Sequence, residues 1–330
     1  MTTNRTVESG ILKLPSWWTG VPELTGLTAV VTGANRGIGF EVARCLASRG
    51  AVVLMAVRSL DRGREAATAI RESWAGASVE VVELDLANLA SVRRCADAVR
   101  SRLQRLDLLI NNAGIASRSL QYTVDGFELV FGTNHLGHFA LTGHLLPLIL
   151  ATPRARVVSV ASLAHSRGQI DFENLDGSKH YSDMQSYSES KLASVLFAYE
   201  LERRLVRVGA DQISVACHPG WAATHMSHTP AGQAEPLMDR LVQALTRRIA
   251  PTAAAGSRSI VFAATSPDVH GGDYIGPGGP GGMSGAPVKA MSSARSHDQD
   301  LAHELWRTSE DMTGIHYEFS PRQVASALSR

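Results

Sequence analysis

Short apolar segments rich in β-branched residues alternate with longer segments of helical periodicity along this 330-residue chain. The apolar segments predict strands at 28–32, 52–57, 78–84, 106–110, 156–160 and 212–217. Helices are predicted between them at 38–49, 61–74, 89–103, 123–150 and 187–208. Such alternation is typical of a parallel sheet covered by helices on both faces. We therefore expect an α/β fold with a doubly wound parallel sheet of about seven strands in a single domain.

Two segments interrupt the alternation. Residues 224–250 are polar and contain proline before they become helical. Residues 276–285 read GPGGPGGMSG, a composition that predicts a loop and argues against the interior of a strand or helix. An amphipathic helix is predicted at 298–313, and 320–330 is expected to be a loosely held tail.

Composition excludes several classes of protein. Hydrophobic residues make up 44% and charged residues 19%, as in an ordinary globular protein. A net charge of +1 without a basic run gives no reason to expect nucleic acid or a membrane surface as a partner. Cys45, Cys95 and Cys217 are odd in number and widely spaced, which favours buried thiols over disulfides or a zinc site. No signal peptide is evident, and we expect a cytoplasmic protein.

The segment TGANRGIG at 32–39 stands between the first predicted strand and the first predicted helix. Its glycines would let the backbone turn sharply and approach a pyrophosphate, while the helix N-terminus offers free N–H groups to phosphates. The spacing differs from the G-x-G-x-x-G fingerprint, so a tight turn that serves packing alone is the alternative. The strand–loop–helix context favours a dinucleotide site in a Rossmann-type sheet.

The end of the second predicted strand bears on which dinucleotide binds. An acidic residue there would hold the ribose 2′-hydroxyl of NAD, but Arg58 occupies the position. Arg36 lies inside the glycine loop. Guanidinium groups bind phosphate oxygens bidentately, which favours the 2′-phosphate of NADP(H). A solvated residue at the start of a helix is the alternative for Arg58.

Tyr187 and Lys191 are four residues apart in a predicted helix, so both project from one face. A phenol has a pKa of about 10, which must fall toward neutral pH if the group is to exchange a proton there. Lowering the pKa by about 3 units corresponds to about 4 kcal/mol. A cation about 4 Å away contributes roughly that much at an effective dielectric constant of about 20. Lys191, together with the positive ring of oxidised nicotinamide, could supply it and let Tyr187 exchange a proton with a carbonyl or alcohol oxygen.

These features belong to a larger set of motifs that stand in one order between 32 and 224. They are TGANRGIG (32–39), ELDLA with Asp85, NNAG (111–114), TNHLGHF with Asn134, VVSVAS with Ser162, YSESK (187–191) and HPGWAAT (218–224). Several would be unspecific alone, but together they make the chain resemble the short-chain dehydrogenase/reductase family. Within it, the PELTG lead-in, TNHLGHF and GPGG…MSG resemble the branch of retinol dehydrogenases and protochlorophyllide reductases.

The resemblance implies a catalytic set of Asn134, Ser162, Tyr187 and Lys191. Ser162 would hydrogen-bond the substrate oxygen, and Asn134 would anchor a water in a proton relay. Ser159 also lies at the end of the fifth strand, but the family commonly uses the second of two adjacent serines, here Ala161-Ser162. The 25-residue separation of Ser162 and Tyr187 is wider than usual and implies an inserted loop at 164–184 near the site.

The same resemblance implies the positions that hold the cofactor. They are Gly33, Asn35, Arg36, Gly37, Ile38, Gly39, Arg58, Asp85, Leu86, Asn112, Ala113, Gly114, Tyr187, Lys191, Pro219, Gly220 and Thr224. Asp85 would contact the adenine, and Asn111 would also line the cleft. Lys191 would hold the ribose hydroxyls, and Thr224 would reach the carboxamide or a phosphate.

We accordingly expect a ketoreductase or alcohol dehydrogenase that uses NADP(H) on a lipophilic or polyketide-like small molecule of secondary metabolism. The apolar and glycine-rich segments 221–232 and 276–285 predict a lid over the site, with Trp221 and Met226 as candidates for its wall. One alternative is an enzyme that reduces a C=C bond or catalyses a redox-neutral step. Another is a non-catalytic NADP-sensing regulator, which the unbroken Tyr–Lys pair disfavours.

The chain divides into 1–26 as an N-terminal arm, 27–276 as the catalytic domain with a lid insertion at about 221–250, and 277–330 as a loop, helix and tail. Trp17 and Trp18 form a partner-binding patch or pack the arm against the domain. We expect no membrane anchor. A homodimer through two long helices at about 123–150 and 187–208 is typical of the family, although the longer C-terminus could cover other surfaces.

Two histidine pairs have a spacing that can ligate a metal: His135 with His138, and His225 with His228. No third ligand accompanies either pair. We therefore expect no metal site.

Overall fold

The computed structural model describes residues 15–220 and 252–319, and the predicted alternation of strands and helices is confirmed within them. The strands are β1 Thr28–Thr32, β2 Val52–Val57, β3 Val79–Glu83, β4 Leu108–Asn111, β5 Arg156–Val160, β6 Ile213–Cys217, β7 Tyr274–Pro277 and β8 Pro287–Lys289. The main helices are α1 Gly37–Ser48, α2 Leu60–Ser73, α3 Leu89–Arg102, α4 Gly137–Leu150, α5 Asp183–Arg207, α6 Ala253–Thr265 and α7 Gln299–Thr313.

The strands form one sheet in the order β3-β2-β1-β4-β5-β6-β7-β8. This confirms the doubly wound sheet, with an eighth strand because the short β8 adds antiparallel to the edge of β7. The strand order reverses between β1 and β4. In open α/β sheets a ligand crevice lies at the carboxyl ends of the strands at this point.

Helices cover both faces of the sheet. Helices α1, α2 and α6 pack on one face, and α3, α4 and α5 pack on the other. Each strand from β4 to β6 is almost wholly buried, as expected for strands between two helical layers. No helix within 15–220 or 252–319 is both long enough and apolar enough to cross a membrane.

Helix α7 and residues 314–319 lie against the second helical layer. The indole of Trp306 lies 5.2 Å from the ring of Phe139 on α4 and 5.8 Å from that of Phe197 on α5, between ring centroids. The hydroxyl of Tyr317 donates to the carbonyl oxygen of Phe139 at 2.6 Å. The C-terminal segment is therefore part of the core.

The helix predicted at 123–150 begins later than expected, at Leu129. Thr123 Oγ1 accepts the N–H of Phe127, and the Glu128 carboxylate accepts the N–H groups of the following turn, Leu129–Phe131. Side chains that bond nearby backbone groups compete with helix formation, so 123–128 forms a turn. A π-helical turn, Gly132–Leu136, then leads into α4.

The prediction of a loop throughout 276–285 is wrong at its start, because Gly276 and Pro277 end β7. Pro277 pairs with Pro287 at the antiparallel sheet edge, where a missing N–H is tolerated. Any side chain at Gly276 would collide with the imidazole of His218. The glycine is therefore required by a close approach inside the strand.

Residues 15–26 of the N-terminal arm and the inserted loop both pack on the domain. Trp18 is buried, and the Arg44 guanidinium of α1 lies 4.5 Å from its ring. In the inserted loop, Ile170, Phe172 and Leu175 pack beside Leu192 of α5. Helix α5 itself begins at Asp183, four residues before the predicted start.

Candidate active site

The glycine loop joins β1 to α1 with a backbone that few other residues could adopt. Gly33 and Gly37 have φ values of 67° and 60°, in the left-handed region that favours glycine. A Cβ at Gly39 would lie 2.5 Å from the carbonyl oxygen of Gly33 and from Nδ2 of Asn112. The loop therefore forms a shallow cradle at the N-terminus of α1, as predicted for a pyrophosphate. Asn35 and Ile38 complete this loop.

Thr32, at the end of β1, holds the NNAG segment beside the glycine loop. Its hydroxyl oxygen accepts the N–H groups of Asn112 and Ala113, each at 2.9 Å, and its carbonyl accepts from Asn112 Nδ2 at 2.8 Å. The hydroxyl also lies 2.9 Å from Nε2 of His138. Because His138 Nδ1 faces the carbonyl oxygen of Asn134, Nδ1 carries the proton and Nε2 accepts.

The sequence motifs contain Thr32 and His138, but their spacing alone gives no sign of this contact. His138 is buried, and burial lowers its pKa to about 4. His135, also buried, lies 2.8 Å from the hydroxyl of Ser309 on α7. His138 thus links α4 to β1, and His135 links the π-helical turn to α7. In the described ranges no cluster of three metal-ligating side chains occurs. His225 and His228 lie outside those ranges.

Two arginines lie at the carboxyl ends of β1 and β2. Arg58 follows β2 directly and is exposed, and Arg36 is exposed at the N-cap of α1. Asp85 follows β3, where its carboxylate accepts the N–H of Ala87 at 3.1 Å. Leu86 is buried, and its carbonyl would collide with any side chain at Gly137. The elements thus bring both cations to the carboxyl ends of neighbouring strands.

Asn134 lies in the π-helical turn and fixes the segment after β4. Its Oδ1 accepts the N–H of Ile115 at 2.8 Å, and its Nδ2 donates to the Ile115 carbonyl at 2.9 Å and to Ser190 Oγ at 3.0 Å. A Cβ at Gly114 would lie 3.2 Å from Lys191 Nζ. Glycine at 114 therefore leaves room for the lysine beside Asn134.

Ser162, Tyr187 and Lys191 converge beyond the end of β5. Ser162 Oγ accepts the N–H of Ala164 at 3.2 Å and is hydrogen-bonded to the Tyr187 side chain. Lys191 Nζ donates to the carbonyl oxygen of Val160 at 3.0 Å. Ser159 points elsewhere in the strand register, opposite Asn111 of β4, and is buried. Of the two candidate serines, the geometry brings Ser162 to the tyrosine.

Burial changes the pKa values of both Tyr187 and Lys191. It raises the pKa of Tyr187 above 10.0, although the hydrogen bond with Ser162 acts in the lowering direction. Burial also lowers the pKa of Lys191 from 10.5 to about 8. Lys191 Nζ lies 5.7 Å from the centroid of the Tyr187 ring. Within the polypeptide alone, the phenol pKa is therefore raised.

The loop after β6 begins at the carboxyl end of that strand. Gly220 has a φ of 74°, and a side chain there would collide with the carbonyl of Met283, so 218–220 packs against the loop that follows β7. Pro219 lies between His218 and Gly220 in this turn. Thr224, Trp221, Met226 and the predicted lid at 221–250 lie outside the described residues.

Comparison with known proteins gives concordant matches. The short chain dehydrogenase family model matches residues 27–234. Retinol dehydrogenase 12 of Mus musculus is 35% identical over 302 residues, which cover 90% of this chain and 89% of that protein. The crystal structure of an uncharacterized Mycobacterium paratuberculosis protein shares 39% identity with a TM-score of 0.76, covering 92% of this chain and 98% of the other. An active-site complex of Pseudomonas aeruginosa RhlG with NADP shares 25% identity with a TM-score of 0.59, covering 79% and 96%.

Proposed function

Because this chain belongs to the short-chain dehydrogenase family and resembles the retinol dehydrogenases within it, we propose that it is an NADP(H)-dependent ketoreductase or alcohol dehydrogenase for a lipophilic small molecule. The family relationship makes it an oxidoreductase of carbonyl and alcohol groups. The cofactor form, the proton donor and the substrate class are the additions that we argue from the site.

The observation that carries the proposal is the junction of Ser162, Tyr187 and Lys191 at the carboxyl end of β5. The Tyr187 hydroxyl, hydrogen-bonded to Ser162, donates a proton to a carbonyl oxygen during reduction or accepts it during oxidation. Ser162 Oγ can hydrogen-bond the same oxygen, which orients the carbonyl carbon. Asn134 holds the β4 segment and α5 together, so the tyrosine-bearing helix is fixed relative to the crevice.

The residues present fit a nicotinamide dinucleotide. The cradle formed by Gly33, Gly37 and Gly39 lies at the N-terminus of α1, where Gly33 and Gly37 have left-handed φ values and a Cβ at Gly39 would collide with the Gly33 carbonyl oxygen. Such a cofactor, when bound, supplies or accepts the hydride. We assign its phosphorylated form because Arg36 and Arg58 flank the adenosine end, where guanidinium groups suit a 2′-phosphate. The similarity to RhlG, solved with NADP, supports this assignment.

A lipophilic substrate is supported by the loop after β7. A Cβ at Gly282 would lie 3.5 Å from Leu163 Cδ2, so this loop borders the residue next to Ser162. Met283 in the same loop is 42% exposed and presents an apolar side chain at this edge. The name of retinol dehydrogenase 12 points to a lipophilic alcohol for that relative.

The proposal is tested by following NADPH oxidation with a panel of aromatic, steroidal and polyketide ketones, with NADH in parallel. We expect turnover of at least one ketone to its alcohol and a preference for NADPH. Tyr187→Phe should abolish turnover while leaving the NADPH Kd nearly unchanged. A fully active Tyr187→Phe variant would refute the proton-transfer role, and a preference for NADH would refute the cofactor assignment. Analysis of the products shows whether the enzyme instead reduces a C=C bond or catalyses a redox-neutral step.

A further inference from the structure

His165 lies three residues after Ser162, in the 3-10 helix Leu163–Arg167 that Ser162 caps. Its side chain is only 3% exposed. The ring is enclosed by the catalytic turn on one side and by residues from the C-terminal part of the chain on the other. A buried histidine this close to the catalytic serine is not explained by the reaction chemistry assigned above.

The hydrogen bonds of the ring define its tautomer. Nδ1 lies 2.7 Å from the carbonyl oxygen of Ser162, which can only accept, so Nδ1 carries the proton. Nε2 lies 3.0 Å from the backbone N–H of Ser293, which can only donate, so Nε2 is unprotonated. The ring is therefore neutral, in keeping with burial, which lowers the pKa of His165. Each nitrogen has a matched partner.

These bonds connect the catalytic turn to a distant part of the chain. Ser293 follows β8 and lies 128 positions after His165. Tyr274 of β7 packs on the same ring, with centroids 5.2 Å apart, and its hydroxyl lies 3.3 Å from Nδ1. The imidazole is thus clamped between β7 and the segment after β8.

We propose that His165 is a positioning residue that fixes the main chain of Ser162, and through it the direction of Oγ toward Tyr187. The Ser162 carbonyl accepts both the backbone N–H of His165 at 3.1 Å and its Nδ1–H. With the carbonyl held at two points, Oγ is held between Ala164 N–H and the tyrosine hydroxyl. This role rests on the proposed function, since it matters only if Ser162 binds the reacting oxygen.

The test is a double-mutant cycle of His165→Ala and Ser162→Ala, with kcat, KM and the NADPH Kd measured for each variant. We expect His165→Ala to lower kcat by roughly tenfold to hundredfold, the loss typical of a misplaced catalytic group, with little change in the NADPH Kd. His165→Asn should recover most of kcat, because its amide nitrogen can occupy the place of Nδ1. In the Ser162→Ala background, removing His165 should cost nothing further.

A second perturbation leaves the histidine itself in place. Ser293→Pro deletes the N–H that Nε2 accepts and puts the proline ring against the imidazole, and the φ of −64° at Ser293 suits proline. It should lower kcat in the same direction, so the proposal can be judged even if His165→Ala fails to fold. Tyr317→Phe, which removes the buried hydrogen bond to the carbonyl oxygen of Phe139 on α4, is the control for a purely structural loss. It should lower Tm without changing kcat.

Full kcat in both His165→Ala and Ser293→Pro would overturn the positioning role. So would a His165→Ala loss of equal size in the presence and absence of Ser162, because the histidine would then act independently of the serine. A fully active Ser162→Ala would refute the role of Ser162 and with it the positioning role of His165, whereas the absence of turnover of any ketone by the wild type would refute the proposed function itself.

Discussion

Lys191 places a titratable amine in the core, and its contribution to stability should depend on pH. The side chain is 4% exposed, and burial lowers its pKa from 10.5 to about 8. Between these values the unfolded chain binds more protons than the folded one, so stability rises with pH across that window. Because the pKa of Lys191 is lower in the folded chain than in the unfolded chain, this stability is lost as the pH falls. The full shift corresponds to about 3 kcal/mol, of which about 2 kcal/mol falls between about pH 7 and about pH 9.5.

The perturbation is Lys191→Met, which keeps the length of the side chain and removes the charge. The free energy of unfolding is measured by urea titration for wild type and variant at both pH values. The difference in the free energy of unfolding, wild type minus variant, should be about 2 kcal/mol larger at the higher pH. The loss of the hydrogen bond to Val160 contributes equally at both pH values, so it cancels in this comparison. The buried cysteines and tyrosines are present in both proteins, so their titration cancels as well.

Lys179→Met is the matched control, because Lys179 lies on the surface with its side chain 58% exposed. Its difference from wild type should be the same at the two pH values. The reasoning is refuted if the Lys191→Met difference stays constant between them, or becomes smaller at the higher pH.

Two further substitutions test the cradle and the C-terminal segment. Gly39→Ala would place a Cβ 2.5 Å from the Gly33 carbonyl oxygen. Overpacking of this kind costs about 1–3 kcal/mol. The NADPH Kd, measured by cofactor fluorescence, should therefore rise about tenfold or more. Gly20→Ala, with nothing within 4 Å, should leave it unchanged; equal Kd values for the two variants would contradict the cradle. Trp306→Ala should lower the free energy of unfolding by about 3–5 kcal/mol in urea titration, against about 0.5 kcal/mol for Trp74→Ala, whose residue is 38% exposed. Equal losses would show that α7 is not part of the core.

The features predicted best from sequence are those with local causes. The strands predicted at 28–32 and 156–160 have these bounds in the structure, because each is a short β-branched run between turn signals. Gly33 and Gly37 do have the left-handed backbone that a phosphate-binding turn requires. Ser162 could be chosen over Ser159 because the family resemblance places the catalytic serine second in the pair Ala161-Ser162.

Other features depend on contacts between distant residues and could not be read from the sequence. Helical periodicity places Tyr187 and Lys191 on one face, but the position of the ammonium is set by Val160, 31 residues away. Gly276 lies in a strand because Val288 of β8 pairs with it, and His218 leaves no space there for a side chain. The bond between His165 and Ser293 spans 128 positions, and neither residue carries a local signal of it.

The packing of α7 has a consequence for how this chain is synthesised and folds. Tyr317 bonds Phe139 across 178 positions, and Trp306 fills the space between α4 and α5. A nascent chain that has already produced every strand of the sheet therefore still exposes aromatic rings on its second helical layer. Such surface makes an incomplete chain prone to aggregate, and contacts of this sequence separation form slowly. The helical layer is therefore complete only after residues 299–317 have been synthesised, and truncation within α7 would leave the rings of Phe139 and Phe197 without their cover.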